Sequence, residues 1–407
     1  MSPNTLVRYV ALFWGLVVFM PVGVNYLAFF ALIAAMAVQG GRIERLRRVR
    51  SHLLFWPLAA YAVWTAVVLA LQPAWYAETP SNLWHGARIV LTLALALALT
   101  HDEAVWAMRG FVLAAACSVL VIAAHYTVGL PQLPVWRSLV AYAGNKSISN
   151  ALLLSLLAGS ALVVALAGAG RTRWVAMVVV LMLLCVIVFA LPNRTSLLVV
   201  LCAVPAAAIH QWRDQKRKLS ALVAAAMVAA AVFVASVPPV RKGLTQGVEE
   251  VQQAAAGSVS LASWNLRAQM ARHTIRMVWE RPWMGWGVGA WNDQWRKRAP
   301  PLIADLNMPH NDLLWMGAQA GVPGALSWLA ILLAACRAGW RRQDLAGRLA
   351  FVAALTLLFS ALVNSATRDG VIGLSLLWIV GLYLRLAADR GLDFLTIERG
   401  KRTPARD

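Results

Sequence analysis

Long apolar stretches alternate with short polar segments over most of the chain. Runs of about 17–25 predominantly apolar residues have the length that an α-helix needs to cross a lipid bilayer. The first stretch, 6–38, is too long for one helix, and Met20-Pro21-Val22-Gly23 predicts a tight turn between two. The pattern therefore predicts twelve membrane spans. After the two within 6–38, these are 53–71, 85–100, 107–128, 147–168, 175–191, 196–209, 219–237, 312–336, 349–364 and 371–388.

The composition indicates the same class of protein. The chain has 407 residues, of which 60% are hydrophobic and only 13% are charged, and its mean hydropathy is +0.66. Soluble domains of this length are more polar. The four cysteines fall in predicted spans without the spacing of metal ligands, and no small-residue cleavage site follows the first apolar run. We therefore expect no cysteine metal site, no cleavable signal peptide and an all-α polytopic membrane fold.

The basic residues set the expected orientation. The chain has a formal net charge of +20 and contains 37 Lys and Arg residues. Of these, 23 fall in predicted internal segments, five lie at short external loops and span edges, and nine lie in the one long loop. The positive-inside rule omits long loops, so we expect both termini in the cytoplasm. Because the basic residues are dispersed among membrane loops, we attribute most of the charge to topology and membrane lipid, and we expect no nucleic-acid partner.

The span pattern divides the chain into four segments. They are spans one to nine (1–237), an external loop domain (238–310), spans ten to twelve (311–388) and a basic cytoplasmic tail (389–407). Within the loop we expect helices at 245–257 and 264–279, the second capped by Ser263. The loop also holds six of the nineteen tryptophans, and its Gly–Trp alternation, 283–291, is typical of a segment that rests on the bilayer surface.

Three residues expected at the external face, Arg194, Arg267 and His310, are candidates for chemistry. Each has a structural explanation by itself, because Arg194 can extend to lipid phosphate, Arg267 can be solvated and His310 can hydrogen-bond locally. In combination, the planar, positively charged guanidinium groups of two arginines can bind a diphosphate leaving group. An imidazole can accept the proton of an attacking sugar hydroxyl. This set would serve glycan transfer from a polyprenyl diphosphate. No acidic pair of the kind that holds Mg²⁺ or Mn²⁺ occurs in the external segments, so we expect a metal-independent reaction.

Three short motifs resemble those of bacterial O-antigen ligases, within the O-antigen ligase/polymerase superfamily. His310-Asn311, followed after nine residues by Gly321-Val322-Pro323-Gly324, resembles the signature of that family. Arg267 followed by Pro282-Trp283-Met284-Gly285-Trp286-Gly287 is similar to its arginine and Pro-x-x-Gly-x-Gly, and Asn193-Arg194-Thr195 is similar to its arginine before the central short span. The motifs cover roughly 191–324, and the first third of the chain matches only in hydropathy.

The resemblance implies a GT-C-like enzyme of the Gram-negative inner membrane with a periplasmic active site. It would transfer a glycan from undecaprenyl diphosphate to a sugar of lipid A–core with inversion, without a metal or other cofactor, and so complete lipopolysaccharide. By the same resemblance, Arg194 and Arg267 would bind and neutralise the diphosphate. His310 would be the general base on the acceptor hydroxyl, and Asn311 would support it.

The neighbours of these residues have weaker implied roles. Arg272 and Arg276 lie close enough to Arg267 in the sequence to compete for its contact with the diphosphate. Gly321 and Gly324 would let helices pack closely beside the site.

Three alternatives to the ligase stay open on the sequence. A polymerase of the same superfamily would use the same donor with a growing polyprenyl-linked glycan as acceptor. A protein O-glycosyltransferase of the superfamily usually carries more extramembrane sequence. A transporter or flippase typically shows internal repeats and ionisable residues at mid-membrane, whereas the charges here lie at predicted membrane edges and in one asymmetric loop. The histidine motif favours the ligase.

Overall fold

The structure, a computed structural model, describes residues 5–389 apart from 192, 222–223, 225–227 and 229–237; at 194, 203–204, 238–244 and 263 it describes the backbone only. The described residues form helices and no β-strand. The helices before the long loop are α1 (Leu6–Val17), α2 (Val22–Gln39), α3 (Arg42–Ser51), α4 (Phe55–Leu71), α5 (Thr79–Ala98), α6 (His101–Val128), α7 (Arg137–Val140), α8 (Gly144–Ala167), α9 (Gly170–Cys185) with a π-helical turn (Val186–Ala190), and α10 (Arg194–Trp212). Those that follow are α11 (Pro238–Ala255), α12 (Ser263–Glu280), α13 (Ala290–Arg298), a 3₁₀ turn (Pro301–Ile303), α14 (Asp312–Trp340), α15 (Leu345–Val363) and α16 (Gly370–Ala388).

Eleven of the twelve predicted spans coincide with helices of the structure, and the ninth, 219–237, lies mostly outside the described residues. Within the described part of the chain, eight helices are each long and apolar enough to cross a membrane. Helices α3 and α4 form one further candidate that is bent by 95°. The all-α polytopic membrane fold is thereby confirmed, while twelve spans and cytoplasmic termini stay predictions. The eight helices are α2, α6, α8, α9 with its π turn, α10, α14, α15 and α16.

The predicted spans imply an external loop at 72–84 and an internal turn at 101–106, and both connections differ from the structure. The external loop predicted at 72–84 is shorter, because α5 begins at Thr79. The turn predicted at 101–106 is wrong, because these residues form the first turns of α6. The Thr100 hydroxyl accepts from the Glu103 N–H (3.3 Å) and the Glu103 carboxylate accepts from the Thr100 N–H (2.8 Å). This capping box starts the helix ahead of the point where the sequence becomes apolar.

Helix α16 lies at the centre of the bundle and packs on α5, α6, α8 and α15. Its apolar window is 89% buried inside the protein. Trp378 stacks on Trp14 of α1 with ring centroids 4.0 Å apart. Gly381 lies so close to α5 that a Cβ at this position would be 2.6 Å from the Ala96 Cβ. Small residues at such crossings let membrane helices approach each other closely.

Helix α14 is broken in its middle at Gly321, where φ is 69° and ψ is −175°. The break leaves the carbonyls of Ala318 and Gln319 without their usual helical donors. Val322 N–H, which would bond to Ala318, donates instead to Pro282 O at 2.7 Å. The position that would bond to Gln319 is Pro323, which has no N–H. The break therefore exposes two backbone acceptors inside a long apolar helix.

The segment Pro282–Gly289 docks into this break. The N–H groups of Trp286 and Gly287 donate to Ala318 O and Gln319 O, both at 2.9 Å. A Cβ at Gly285, where φ is 64°, would lie 2.5 Å from the carbonyl carbon of Gln319, so only glycine fits there. The two glycine motifs of the sequence are therefore parts of one structural unit.

The tryptophans of the 238–311 segment fall into two groups. Trp279 and Trp283 are 77% and 74% exposed, as expected of side chains at headgroup level. Trp291 and Trp295 are at most 1% exposed and stack with centroids 5.2 Å apart. Their indole N–H groups donate to Thr274 Oγ1 and Ile303 O, both at 3.1 Å. The interpretation of this segment as one that rests on the bilayer surface is therefore wrong for Trp291, which is buried in the hydrophobic core.

The bundle has two ends, which we name after one residue each. The His310 end comprises the start of α14, the 364–370 turn and the 238–311 segment. The Arg45 end comprises α3, the starts of α1, α6 and α15, and the ends of α5, α14 and α16. Helix α14 has 29 residues, so the two ends lie about 40 Å apart along it.

Candidate functional site

His310 lies directly before α14 in an unusual backbone conformation. Its φ is 52°, and within the described part of the chain no other non-glycine residue has a positive φ. Such a conformation costs about 1–2 kcal/mol and persists where the surroundings enforce it. Asn311 supplies that constraint, because its Oδ1 accepts from Leu314 N–H (2.9 Å) and its Nδ2 donates to Leu362 O (2.8 Å). Asn311 therefore caps α14 and ties His310 to the end of α15.

The direct partner of the His310 imidazole is Asn364, whose Oδ1 lies 3.3 Å from His310 Nδ1. The same Oδ1 accepts from the Ser365 N–H at 3.0 Å, which identifies this atom as the amide oxygen. An oxygen acceptor requires a donor, so Nδ1 carries the proton of the neutral imidazole. Nε2 then carries the lone pair and is the atom that can accept a proton from a substrate.

The environment keeps this imidazole neutral. Burial lowers the pKa of His310 below its ordinary value of 6.5, and the positive charges of Arg267 and Arg368 lower it further. The hydrogen bond with Asn364 raises the pKa in part. Since the net shift is downward, His310 is unprotonated at neutral pH and has the protonation state of a general base.

The 364–370 turn, which carries Asn364, is fixed from two sides. Arg88 of α5 is fully buried and donates from Nη2 to the carbonyls of Thr367 (3.0 Å), Arg368 (2.7 Å) and Asp369 (3.0 Å). Asp312 Oδ2 accepts from the Thr367 N–H (3.0 Å) and Oγ1 (2.5 Å). Helix α5 and the first residue of α14 thus hold the turn against His310. Carbonyls orient Arg88 without neutralising it.

Arg368 places a second buried guanidinium beside the histidine. The residue is 8% exposed, and its Cζ lies 5.4 Å from the centroid of the Trp315 ring. None of the ion pairs among the described residues includes Arg368. Its positive charge adds to the burial that lowers the pKa of His310. The carboxylates of Asp312, Glu78 and Asp369 act on Arg368 from a distance, but none of them forms an ion pair with it among the described residues.

Helix α12 packs on α14 and carries the three candidate arginines of the loop. Arg267 is half-buried, and its charge acts on His310. Arg272 and Arg276 are exposed and lie roughly 140° and 180° around the helix from Arg267. Burial and the charges of Arg276 and Arg272 lower the pKa of His273. The structure thus brings Arg267 toward His310 and turns the other two arginines away from it.

Arg194 is the first residue of α10, and its side chain lies outside the described residues. Asn193 caps this helix by accepting from the Ser196 N–H at 2.8 Å. At the other end of α10, Arg213 Nη1 donates to Trp340 O, the last residue of α14, at 2.7 Å. Because α10 spans about 28 Å, its start lies toward the His310 end.

Gly321 and Gly324 have different roles. A Cβ at Gly321 would lie 2.3 Å from Trp283 O, so this glycine admits the docked loop rather than a helix. A Cβ at Gly324 would lie 2.4 Å from the Ala320 Cβ and 3.5 Å from Trp64 of α4. Ala320 belongs to the same helix and 3.5 Å is an ordinary contact distance, so close packing between helices requires a glycine at neither position.

Sequence reasoning missed Asn364, Arg88 and Arg368 as parts of this site. Arg88 and Arg368 lie at the ends of apolar stretches. A charged side chain there is costly unless it has a partner or a function, and this could have marked both arginines as candidates. No local motif marks Asn364.

Part of the chain is similar to a known protein family. The family model described as O-antigen ligase matches residues 179–329, which run from within α9 past the break in α14. This segment contains Arg194, Arg267 and His310 together with both glycine motifs. A search of curated proteins finds no match. This match supports a relationship between this multi-pass membrane protein and the O-antigen ligase superfamily.

Proposed function

We propose that the protein is an O-antigen ligase of the Gram-negative inner membrane, with its active site facing the periplasm. It transfers a glycan from undecaprenyl diphosphate to a sugar hydroxyl of lipid A–core and so completes lipopolysaccharide. One observation carries the proposal: a neutral imidazole, His310, is held at a positive φ by its surroundings, within the field of two arginines. It lies in the segment that matches the family.

The donor is activated by positive charge. As the bond between the anomeric carbon and the diphosphate oxygen breaks, the electron pair leaves with the diphosphate. Arg267 and Arg194 bind its oxygens through their planar guanidinium groups, and Arg368 adds positive charge near His310. Fixed guanidinium groups supply the electrostatic stabilisation that a divalent cation supplies elsewhere, and we propose a reaction without metal.

The acceptor is activated by His310. Its Nε2 accepts the proton of the sugar hydroxyl while the hydroxyl oxygen forms the new bond to the anomeric carbon. Attack opposite the leaving diphosphate inverts that carbon. Asn364 keeps Nδ1 protonated and so keeps Nε2 available. Undecaprenyl diphosphate and the extended lipopolysaccharide are the products.

The test uses purified protein in detergent with an undecaprenyl-diphosphate-linked glycan and lipid A–core, with EDTA present and no nucleotide. The product is lipopolysaccharide that migrates more slowly on a gel. His310→Asn is the most informative variant, because asparagine tolerates a positive φ but is no base. We expect a loss of about 10²–10⁴-fold. His273→Ala, which changes another histidine of the same segment, should stay active.

Two results would contradict the proposal. Activity of His310→Asn equal to that of the unmodified protein would remove the base. Longer polyprenyl-linked chains from donor alone, with lipid A–core unmodified, would identify a polymerase instead. If neither product forms, the ligase proposal fails, and transport of a lipid-linked glycan is the reaction to assay next.

A further inference from the structure

A cavity of about 570 Å³ lies at the Arg45 end, the opposite end of α14 from His310. The α3–α4 bend and the ends of α5, α14 and α16 enclose it. Its lining combines apolar side chains, among them Leu53, Leu97 and Leu384, with four arginines and one carboxylate. The charged residues are Arg48, Arg341, Arg342, Arg385 and Asp389.

Backbone carbonyls at the end of α5 hold two of these arginines. Arg48 donates from Nε (3.1 Å) and Nη2 (2.9 Å) to Ala98 O, and Arg385 donates from Nε to Leu99 O (2.5 Å). Ala98 and Leu99 stand at the end of α5, where helix carbonyls lack partners of their own. These bonds fix the arginines in place but leave their charge intact.

The carboxylates in contact with the lining balance only part of this charge. Asp389 Oδ1 lies 2.9 Å from Arg385 Nη1, and Asp344 pairs with Arg342. Among the described residues, four guanidinium groups therefore face two carboxylates that are bonded to them. The cavity keeps an excess of two positive charges.

The setting of the cavity matches a lipid better than a free anion. Trp56, three residues after the lining residue Leu53, is 71% exposed, as tryptophans at a membrane interface are. Basic pockets between membrane helices at the cytoplasmic side are typical sites for anionic headgroups. Inorganic phosphate would leave most of 570 Å³, and the leucine side chains, uncovered.

We propose that this cavity binds the headgroup of an anionic phospholipid, with its phosphate on Arg48 and Arg341 and the start of its acyl chains against the leucines. The proposal is independent of the reaction at His310. Arg48 is half-buried and Arg341 is exposed, so a phosphate can reach both guanidinium groups.

The test is native mass spectrometry of delipidated protein in detergent, titrated with cardiolipin or with phosphatidylethanolamine. The test variant is Arg48→Gln/Arg341→Gln. The matched control is Arg47→Gln/Arg337→Gln, which removes two exposed arginines outside the lining from the same two regions of the chain. We expect one tight cardiolipin site, with the test variant weakening it at least about tenfold and the control leaving it unchanged.

Several outcomes would overturn the proposal. Equal loss in both double variants would mean general attraction to a basic surface, and equal affinity for phosphatidylethanolamine would exclude recognition of anionic charge. Displacement of cardiolipin by millimolar inorganic phosphate would assign the site to the free anion. If the double variant does not fold, Arg341→Glu changes only an exposed side chain and must still weaken cardiolipin binding.

Discussion

The partners differ between two sets of arginines, one at each end of the bundle. At the Arg45 end they form ion pairs with carboxylates: Arg8 with Asp102, Arg45 with Glu103, Arg342 with Asp344 and Arg385 with Asp389. At the His310 end, Arg88 is held by three carbonyls and Arg368 lies over a tryptophan ring. Neither takes part in an ion pair among the described residues.

This difference separates charges that hold helices together from charges that act on a ligand. A carboxylate partner neutralises most of the positive charge of an arginine, whereas a carbonyl or an aromatic ring does not. Burial is the main cause of the lowered pKa of His310, and the positive charges of Arg267 and Arg368 lower it further. Changes at the paired arginines of the Arg45 end should therefore affect stability, and changes at Arg267 or Arg368 should affect catalysis.

The largest expected effect on stability comes from Glu103→Gln. Glu103 accepts from Arg45 Nη1 at 2.8 Å and Nη2 at 2.7 Å, and both side chains are nearly buried. Glutamine preserves the capping box but leaves the buried guanidinium unpaired, which costs about 3–5 kcal/mol. Thermal unfolding in detergent measures this loss of stability. The transfer rate per folded molecule should not change.

Asp102→Asn is the matched control, since it breaks the neighbouring but solvent-exposed pair with Arg8. That change should cost at most about 1 kcal/mol. Equal destabilisation by the two variants would mean that burial does not distinguish the pairs.

The next effect is on catalysis. Arg267→Ala should lower the transfer rate by about 10²–10³-fold, because a fixed charge at the diphosphate is lost. Arg267→Lys should recover little, because the planar fork is not restored. Initial rates with the lipid-linked donor measure both. Arg272→Ala, on the exposed face of the same helix, should stay within about threefold of the unmodified protein.

Full activity of Arg267→Lys would mean that charge alone matters at this position. A large loss in Arg272→Ala would move the diphosphate to the other face of α12.

Gly321→Ala should have an intermediate effect on both properties. A side chain at this position is strained by the φ of 69° and would meet Trp283 O at 2.3 Å. Strain of this kind costs about 1–3 kcal/mol, and relief requires the docked segment Pro282–Gly289 to move. The unfolding temperature should fall. The rate of proteolysis within that segment should rise.

Gly23→Ala is the control for Gly321→Ala, because a Cβ at Gly23 in α2 meets no atom within 4 Å. This change should be neutral or slightly stabilising. An unchanged proteolysis rate in Gly321→Ala would show that the segment does not depend on the break in α14.

Much of the helical pattern could be predicted, because spans are marked by apolar runs that need no knowledge of neighbours. His310 and Arg267 could be predicted because local motifs mark them. The break at Gly321 could be anticipated as a glycine position but not as a docking site, since its partners lie in Pro282–Gly289. Asn364 follows His310 by 54 residues, and only the packing of α15 against the start of α14 brings them together. Long-range contacts of this kind leave no local periodicity in the sequence.

The smallest predicted effect is a displacement of the pH profile. Neutral His310 is the active form, and its pKa is lowered, so kcat/KM should fall on acidification only below the ordinary histidine value of 6.5. Asn364→Ala removes a hydrogen bond that raises this pKa, so the acid limb should move to lower pH. Asn364→Asp adds a negative charge that favours the imidazolium, so the limb should move to higher pH, by about 1 unit or more. Rates measured from pH 5 to 8.5 distinguish the three proteins, and each asparagine variant controls for the other because the expected shifts are opposite. Shifts in the same direction, or none, would assign the acid limb to a group other than His310.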